Sequence, residues 1–270
     1  MSRGHSDERK PHDEEHDLAV FLDFENLALG FKGGGQGIEF DIHRVLDRLV
    51  EKGKIVVKKA YADWGRYTHY KRELHEAGME LIEIPRRTMT GKNSADIRLC
   101  VDALDLSYSK EHIDTFAIIS GDSDFTPLVS KLKENGRRVI GLAMKGAASD
   151  LLVDNCDEFI FYEDLERSQD QTPEPDSGIP QEKRSAFKLL LDTVTALQRE
   201  GKEILYPSLL KITMKRKRPS FSETRYGYST FGEMLEDAAR QGLITVRDDE
   251  RSGTLVVTGL GRSAASRRRH

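Results

Sequence analysis

Between residues 17 and 165 short apolar runs alternate with amphipathic stretches, and this alternation limits the fold more than any single residue does. LAVFLD (18–23), KIVVKKAYADW (54–64), MELIEIP (79–85), TFAIIS (115–120), RRVIGLAM (137–144) and EFIFYE (158–163) have the length and apolar content of strands. Between them DIHRVLDRLVEKG, RYTHYKRELHEAG, SADIRLCVDALDLSYS and DFTPLVSKLKENG carry apolar residues at helical spacing, and three of the four close on a glycine suited to a helix end. Strand alternating with helix predicts an α/β fold built on a parallel sheet with helices on both faces. In such sheets ligands bind beyond the carboxyl ends of the strands.

Acidic residues gather at that rim. Asp23 closes the first run, Asp63 closes the second, and Asp122 and Asp124 follow TFAIIS. Asp96 begins a helical stripe continued by Leu99, Ala103 and Leu106, so its carboxylate is expected to open on a cleft. Two unit charges about 4 Å apart repel by about 4 kcal/mol at an effective dielectric near 20. Several carboxylates at one point therefore call for a cation, and oxygen-only ligands select Mg²⁺ or Mn²⁺. Such a centre suits phosphoryl chemistry. Each acid also has a structural alternative: Asp124 as N-cap of the following helix, Asp63 as an orienter of its neighbours, Asp96 as a helix-start acid favoured by the dipole. Asp23 and Asp122 are expected to make no cap.

Three segments, FLDFENL (21–27), KNSADIRLCVDAL (92–104) and ISGDSDFTPL (119–128), resemble in this order the signature segments of NYN domains. These belong to the PIN-like nuclease superfamily, and the match is best to the LabA-like branch; GAASDLLVDNCDEFIFYEDL (146–165) is similar to that branch's closing segment. The resemblance implies a Rossmann-like PIN/NYN domain over 17–165, catalytic and metal-binding acids at Asp23, Asp96, Asp122 and Asp124, and Asn26 beside the first. It implies metal-dependent RNA cleavage, by an endonuclease rather than an exonuclease. Asp102 also matches a family acid, but six residues beyond Asp96 it is turned by about 120° on the helix and is placed with Asn26 and Asp63 behind the ligands. Relatives better known as regulators define the alternative, a non-catalytic protein that binds RNA or another protein. An aspartate-nucleophile phosphatase would need Asp-x-Asp at the first strand, where this chain reads Asp23-Phe24-Glu25. GGGQG (33–37) lacks the Gly-Lys-Ser/Thr of a phosphate loop and is expected to be a mobile loop.

Single-stranded RNA at the rim would need cations and rings. Arg86, Arg87 and Lys92 precede Asp96, and Trp64 and Arg66 follow the second strand. Tyr67 and Tyr70 are expected to pack instead.

Charge divides the chain: residues 1–182 hold 24 Lys and Arg against 36 Asp and Glu, whereas 183–270 hold 18 against 10. The change of sign falls at ERSQDQTPEPDSGIPQEKR (166–184), which has almost nothing apolar to bury. The expected organisation is a disordered head (1–16), the α/β domain (17–165), a linker (166–182), a winged helix-turn-helix domain (183–260) and a basic tail (261–270). RSAFKLLLDTVTALQREG, part of YPSLLKITMKRKRP, and STFGEMLEDAARQGL supply its helices, and LITVRDDERSGTLVVTGL supplies its wing. With FSETRYGYSTFGEML (221–235), these segments resemble the OST-HTH or LOTUS domain, which implies RNA or ribonucleoprotein partners. Lys215, Arg216, Lys217 and Arg218 are its candidate RNA contacts. No apolar run approaches the roughly 20 residues of a membrane span, and the amino end lacks a secretion-signal core, so a cytoplasmic protein is expected. Cys100 and Cys156 are expected to be buried free thiols.

Overall fold

The computed structural model describes residues 16–33, 40–84, 94–169, 175, 178–249 and 253–261. Six strands form one sheet: β1 (Asp17–Asp23), β2 (Lys54–Ala62), β3 (Glu80–Glu83), β4 (Ile113–Ile119), β5 (Arg138–Ala143) and β6 (Glu158–Phe161). Their order is β3-β2-β1-β4-β5-β6, and every neighbouring pair is parallel. Side chains alternate across a strand. Leu18, Val20 and Leu22 of β1 accordingly enter one core and Ala19 and Phe21 the other, and all five are fully buried. Burial on both faces explains why β1 and β5 read as continuous apolar runs rather than as alternating ones.

Helices α1 (Phe24–Gly33), α2 (Ile42–Val50), α3 (Thr68–Glu76) and α7 (Tyr162–Gln169) contribute to the core on the Leu18 face. Helices α4 (Ser94–Ser109), α5 (Thr126–Glu134) and α6 (Asp150–Asn155) cover the opposite face. The predicted EFIFYE strand stops at Phe161, because Tyr162 begins α7 and its hydroxyl accepts the Asp41 N–H at 2.9 Å.

The carboxy-terminal elements build a separate core from α8 (Gln181–Arg199), α9 (Pro207–Lys217), a 3₁₀ turn at Glu223–Tyr226, α10 (Phe231–Arg240) and an antiparallel hairpin of β7 (Ile244–Asp248) and β8 (Leu255–Leu260). Leu205 bridges to Val257 and adds a short third rung to the hairpin. The predicted wing is thus present as a hairpin. The predicted linker is shorter than expected: α7 continues to Gln169 and α8 starts at Gln181.

These elements do not merely trail the sheet. Lys217, at the end of α9, holds Glu51 at 2.8 Å, and Arg48 holds both Glu51 at 2.7 Å and Glu200 at 2.5 Å. Lys52 pairs with Glu158 at 2.6 Å and also with Glu200, and its side chain is only 5% exposed. Lys52 precedes β2, and Glu158 and Arg138, themselves paired at 2.8 Å, open β6 and β5. The contact therefore lies at the amino ends of the strands. Among the described residues no helix is long and apolar enough to cross a membrane. Cys100 and Cys156 are free and half-buried, and burial pushes both thiols up to about 11.

Candidate functional site

The order β3-β2-β1-β4 makes the chain leave the sheet in opposite directions from β1 and β4, which opens a crevice at their carboxyl ends. Asp23 is the last residue of β1, and Ser120 follows the last residue of β4. Ser120 Oγ donates to Asp23 Oδ2 at 2.9 Å, and the Asn26 N–H donates to Asp23 Oδ1 at 3.3 Å. Asn26 Oδ1 in turn accepts the Gly121 N–H at 2.9 Å, tying the start of α1 to the loop after β4. Gly121 can be nothing larger: a Cβ there would stand 2.2 Å from the Ala147 carbonyl oxygen.

Beyond Gly121, Asp122 Oδ1 accepts the Asp124 N–H at 2.9 Å and caps a single 3₁₀ turn, Ser123–Phe125, that leads into α5. The cap is therefore Asp122, not Asp124. The expectation that Asp122 makes no cap is corrected, and Asp124 keeps an exposed carboxylate in the turn. Asp96 enters from the first turn of α4, with Leu99, Ala103 and Ser107 buried along the helix behind it.

Electrostatics ties these acids into one group. Asp23 is 4% exposed, and burial, with the Asp96 and Asp122 charges adding to it, pushes its carboxyl up to about 7 against the hydrogen bonds from Asn26 and Ser120. Asp96 is raised to about 6 by burial and by Asp122, Asp124 and Glu25. A hard cation would relieve this repulsion, and the donors are all oxygens, so the donor chemistry fits Mg²⁺ or Mn²⁺. The carboxylates do not close into a ligand shell: among the described residues no three His, Cys, Asp or Glu stand close enough together to hold an ion.

Two contributors escaped the sequence reading. Glu25, two residues after Asp23, acts on Asp96 and accepts the Asp63 N–H at 3.1 Å. Ser120 bonds Asp23 and also accepts the Asp122 N–H at 3.3 Å. A hydroxyl ending an otherwise apolar strand beside Gly121 was the available signal for Ser120. Asp63 meets the group through its backbone, and its carbonyl accepts the Arg66 N–H at 3.0 Å.

The other predicted residues divide. The Asp102 carboxylate is held by the Tyr61 hydroxyl at 2.8 Å, Arg98 at 2.9 Å and Lys59 at 3.3 Å. Trp64 cannot stack a base, because it is 1% exposed, packs on Phe24 and donates its indole N–H to Ile82 at 3.0 Å. Tyr67 and Tyr70 also pack on Phe24, with ring centroids 5.1 and 4.9 Å away. Arg66 remains exposed. Lys217, 10% exposed and paired with Glu51, is committed to the contact with α2, whereas Lys215 and Arg218 are exposed and Arg216 is half-buried. Arg86, Arg87, Lys92 and the GGGQG run from Gly34 onward lie outside the described residues.

A doubly wound parallel sheet with an acid group at its switch point defines a Rossmann-like α/β domain. The NYN domain family matches residues 17–165, and the chain belongs to this family, within the PIN-like nuclease superfamily. An uncharacterized protein of Methanocaldococcus jannaschii is 28% identical over 146 residues, 54% of this chain and 55% of that protein. The chain thus spans about half the length of this curated relative. A crystal structure of a Vibrio parahaemolyticus protein of unknown function superposes with a TM-score of 0.50 at 21% identity, covering 58% of this chain and 98% of the other, which speaks to the fold alone.

Proposed function

We propose that the protein is a metal-dependent ribonuclease whose centre is Asp23, Asp96, Asp122 and Asp124. The observation that carries this reading is the mutual repulsion of Asp23, Asp96 and Asp122 at the switch point, where burial holds one carboxylate in a position that costs stability unless a cation joins it. Bound there, Mg²⁺ or Mn²⁺ would supply activation of the attacking water and offset charge on the phosphodiester. The protein's own part is positional. Ser120 and the Asn26 N–H fix both oxygens of Asp23, the cap at Asp122 fixes the approach to α5, and the Asn26 side chain fixes the loop through Gly121.

The carboxy-terminal elements are proposed to be an OST-HTH/LOTUS module, supported by three helices closed by a hairpin, with RNA touching Lys215 and Arg218. The module sits at the amino ends of the strands. A seven-residue strand rises about 3.3 Å per residue, so RNA must run on the order of 20 Å along the molecule to reach the acids. A second reading, a regulator that keeps the fold without turnover, draws on the acids' failure to close into a shell among the described residues.

Substitution separates the two. Asp122→Asn keeps the cap, since asparagine caps about as well as aspartate, and removes one charge. Cleavage of single-stranded RNA should fall at least 100-fold, the scale of losing an electrostatic contact in a transition state, while RNA binding stays within about threefold. Equal cleavage by the parent and by both Asp122→Asn and Asp124→Asn would sink the nuclease reading.

A further inference from the structure

Beside the acids lies a feature that the proposed chemistry leaves unused. An open groove runs between α4, the turn before α5, and α6, and Asp96 and Asp124 are among its lining residues. Its walls are aliphatic: Ile97 and Val101 of α4 are 62% and 56% exposed, and Leu151 of α6 is 56% exposed. Burying such side chains against the core was open to the fold, since the same helix does bury Leu99 and Ala103. Thr126 and Pro127 also line the groove.

We propose that this groove seats an unstacked nucleobase of the RNA strand whose phosphate is presented to the acids. The inference rests on the nuclease reading and adds a subsite to it. Continuity carries it: Asp96 and Asp124 belong both to the acid group and to the groove, so whatever fills the groove has a neighbouring part at the acids. A nucleotide has this form, a flat and largely apolar ring one sugar away from an anion that a cation can bridge to carboxylates. An apolar protein helix laid in the groove would strip water from two carboxylates and offer them nothing in return. Flat bases are accepted by apolar walls without regard to sequence.

The test uses the full-length chain and a short single-stranded RNA carrying 4-thiouridine, irradiated without divalent metal so that no turnover is required. Crosslinks should map to the peptides bearing Val101, Thr126 or Leu151. Val101→Asp, at an exposed position, should lower their yield roughly tenfold, and unlabelled homopolymers should compete for them with little regard to base. Crosslinks confined to other peptides, or a yield unmoved by Val101→Asp, overturn the proposal. So does a change in oligomeric state with Val101→Asp in the absence of groove crosslinks, which assigns the face to a protein. Cleavage without groove crosslinks sinks the subsite alone; groove crosslinks on a chain that never cleaves sink the nuclease reading and leave the base seat standing.

Discussion

Asp23 shows how one residue can weaken the fold in favour of a site. Its carboxyl titrates near 7 in the folded chain instead of near 3.8, chiefly because it is buried. Between these values the folded state binds the extra proton, so this group's contribution to stability falls as pH rises from about 4 to 7. The loss is on the order of 4 kcal/mol when complete. Asparagine can accept from the Asn26 N–H and donate to Ser120, so Asp23→Asn should raise the melting temperature at pH 8 and leave it nearly unchanged at pH 4.5. A drop at pH 8 would mean that the charge is not costly. Millimolar Mn²⁺ should stabilise the parent more at pH 8 than at pH 5.5, because only the ionised acids bind it. The positions of the rim acids were legible because each follows an apolar strand or opens an apolar helical stripe. Roles that depend on direction were not. Trp64 and Lys217 look like nucleic-acid contacts in the sequence, and their burial against Phe24 and Glu51 depends on partners 40 and 166 residues away.

At the scale of elements, the loop after β4 is the part least tolerant of change. Gly121 is pinned between the Asn26 side chain and the backbone at Ala147, and Ser149 donates its N–H to the Gly121 carbonyl at 2.9 Å. Gly121→Ala should destabilise the chain by about 2–3 kcal/mol through forced backbone movement, measured by urea unfolding, and should abolish the stabilisation by Mn²⁺. A neutral outcome would contradict the close packing of this loop. The strands were legible because each carries a short apolar run, unbroken through β1 and interrupted by charge in β2 and β3. Of the helices, α1, α6 and α7 were not: Phe24–Gly33 is apolar on too many sides to show a stripe, Asp150–Asn155 is too short to show a period, and Tyr162 reads as the continuation of β6. Nor was the single turn at Ser123–Phe125, which moved the cap from Asp124 to Asp122.

Across the whole molecule, the basic back half and the acidic front half meet through ion pairs, at the end of the sheet opposite the acids. Burial raises the cost of ionising Glu200, but the Lys52 and Arg48 partners outweigh it and hold the carboxyl below its ordinary range. Breaking a buried pair by removing one partner costs about 3–5 kcal/mol. Lys217→Glu should therefore loosen α9 from α2 and enlarge the radius of gyration in small-angle scattering, and the swap Glu51→Lys with Lys217→Glu should restore most of the compactness. If the single reversal leaves the scattering unchanged, the pairs do not hold the two halves together. Only Lys217–Glu51 follows the split in charge that the sequence foretold; Arg48 and Lys52 of the front half pair with Glu200 of the back half in the reverse sense, which composition by halves cannot show.

The central claim, that the acids at the switch point cleave RNA with a divalent cation, is tested most directly by incubating the full chain with end-labelled single-stranded RNA in Mn²⁺, with and without chelator. The account predicts internal cleavage products in Mn²⁺ that vanish with chelator and that Asp122→Asn does not form. Products that persist at the same rate in chelator and with Asp122→Asn, or no products from the parent in Mn²⁺ at any pH from 6 to 8.5, would contradict it.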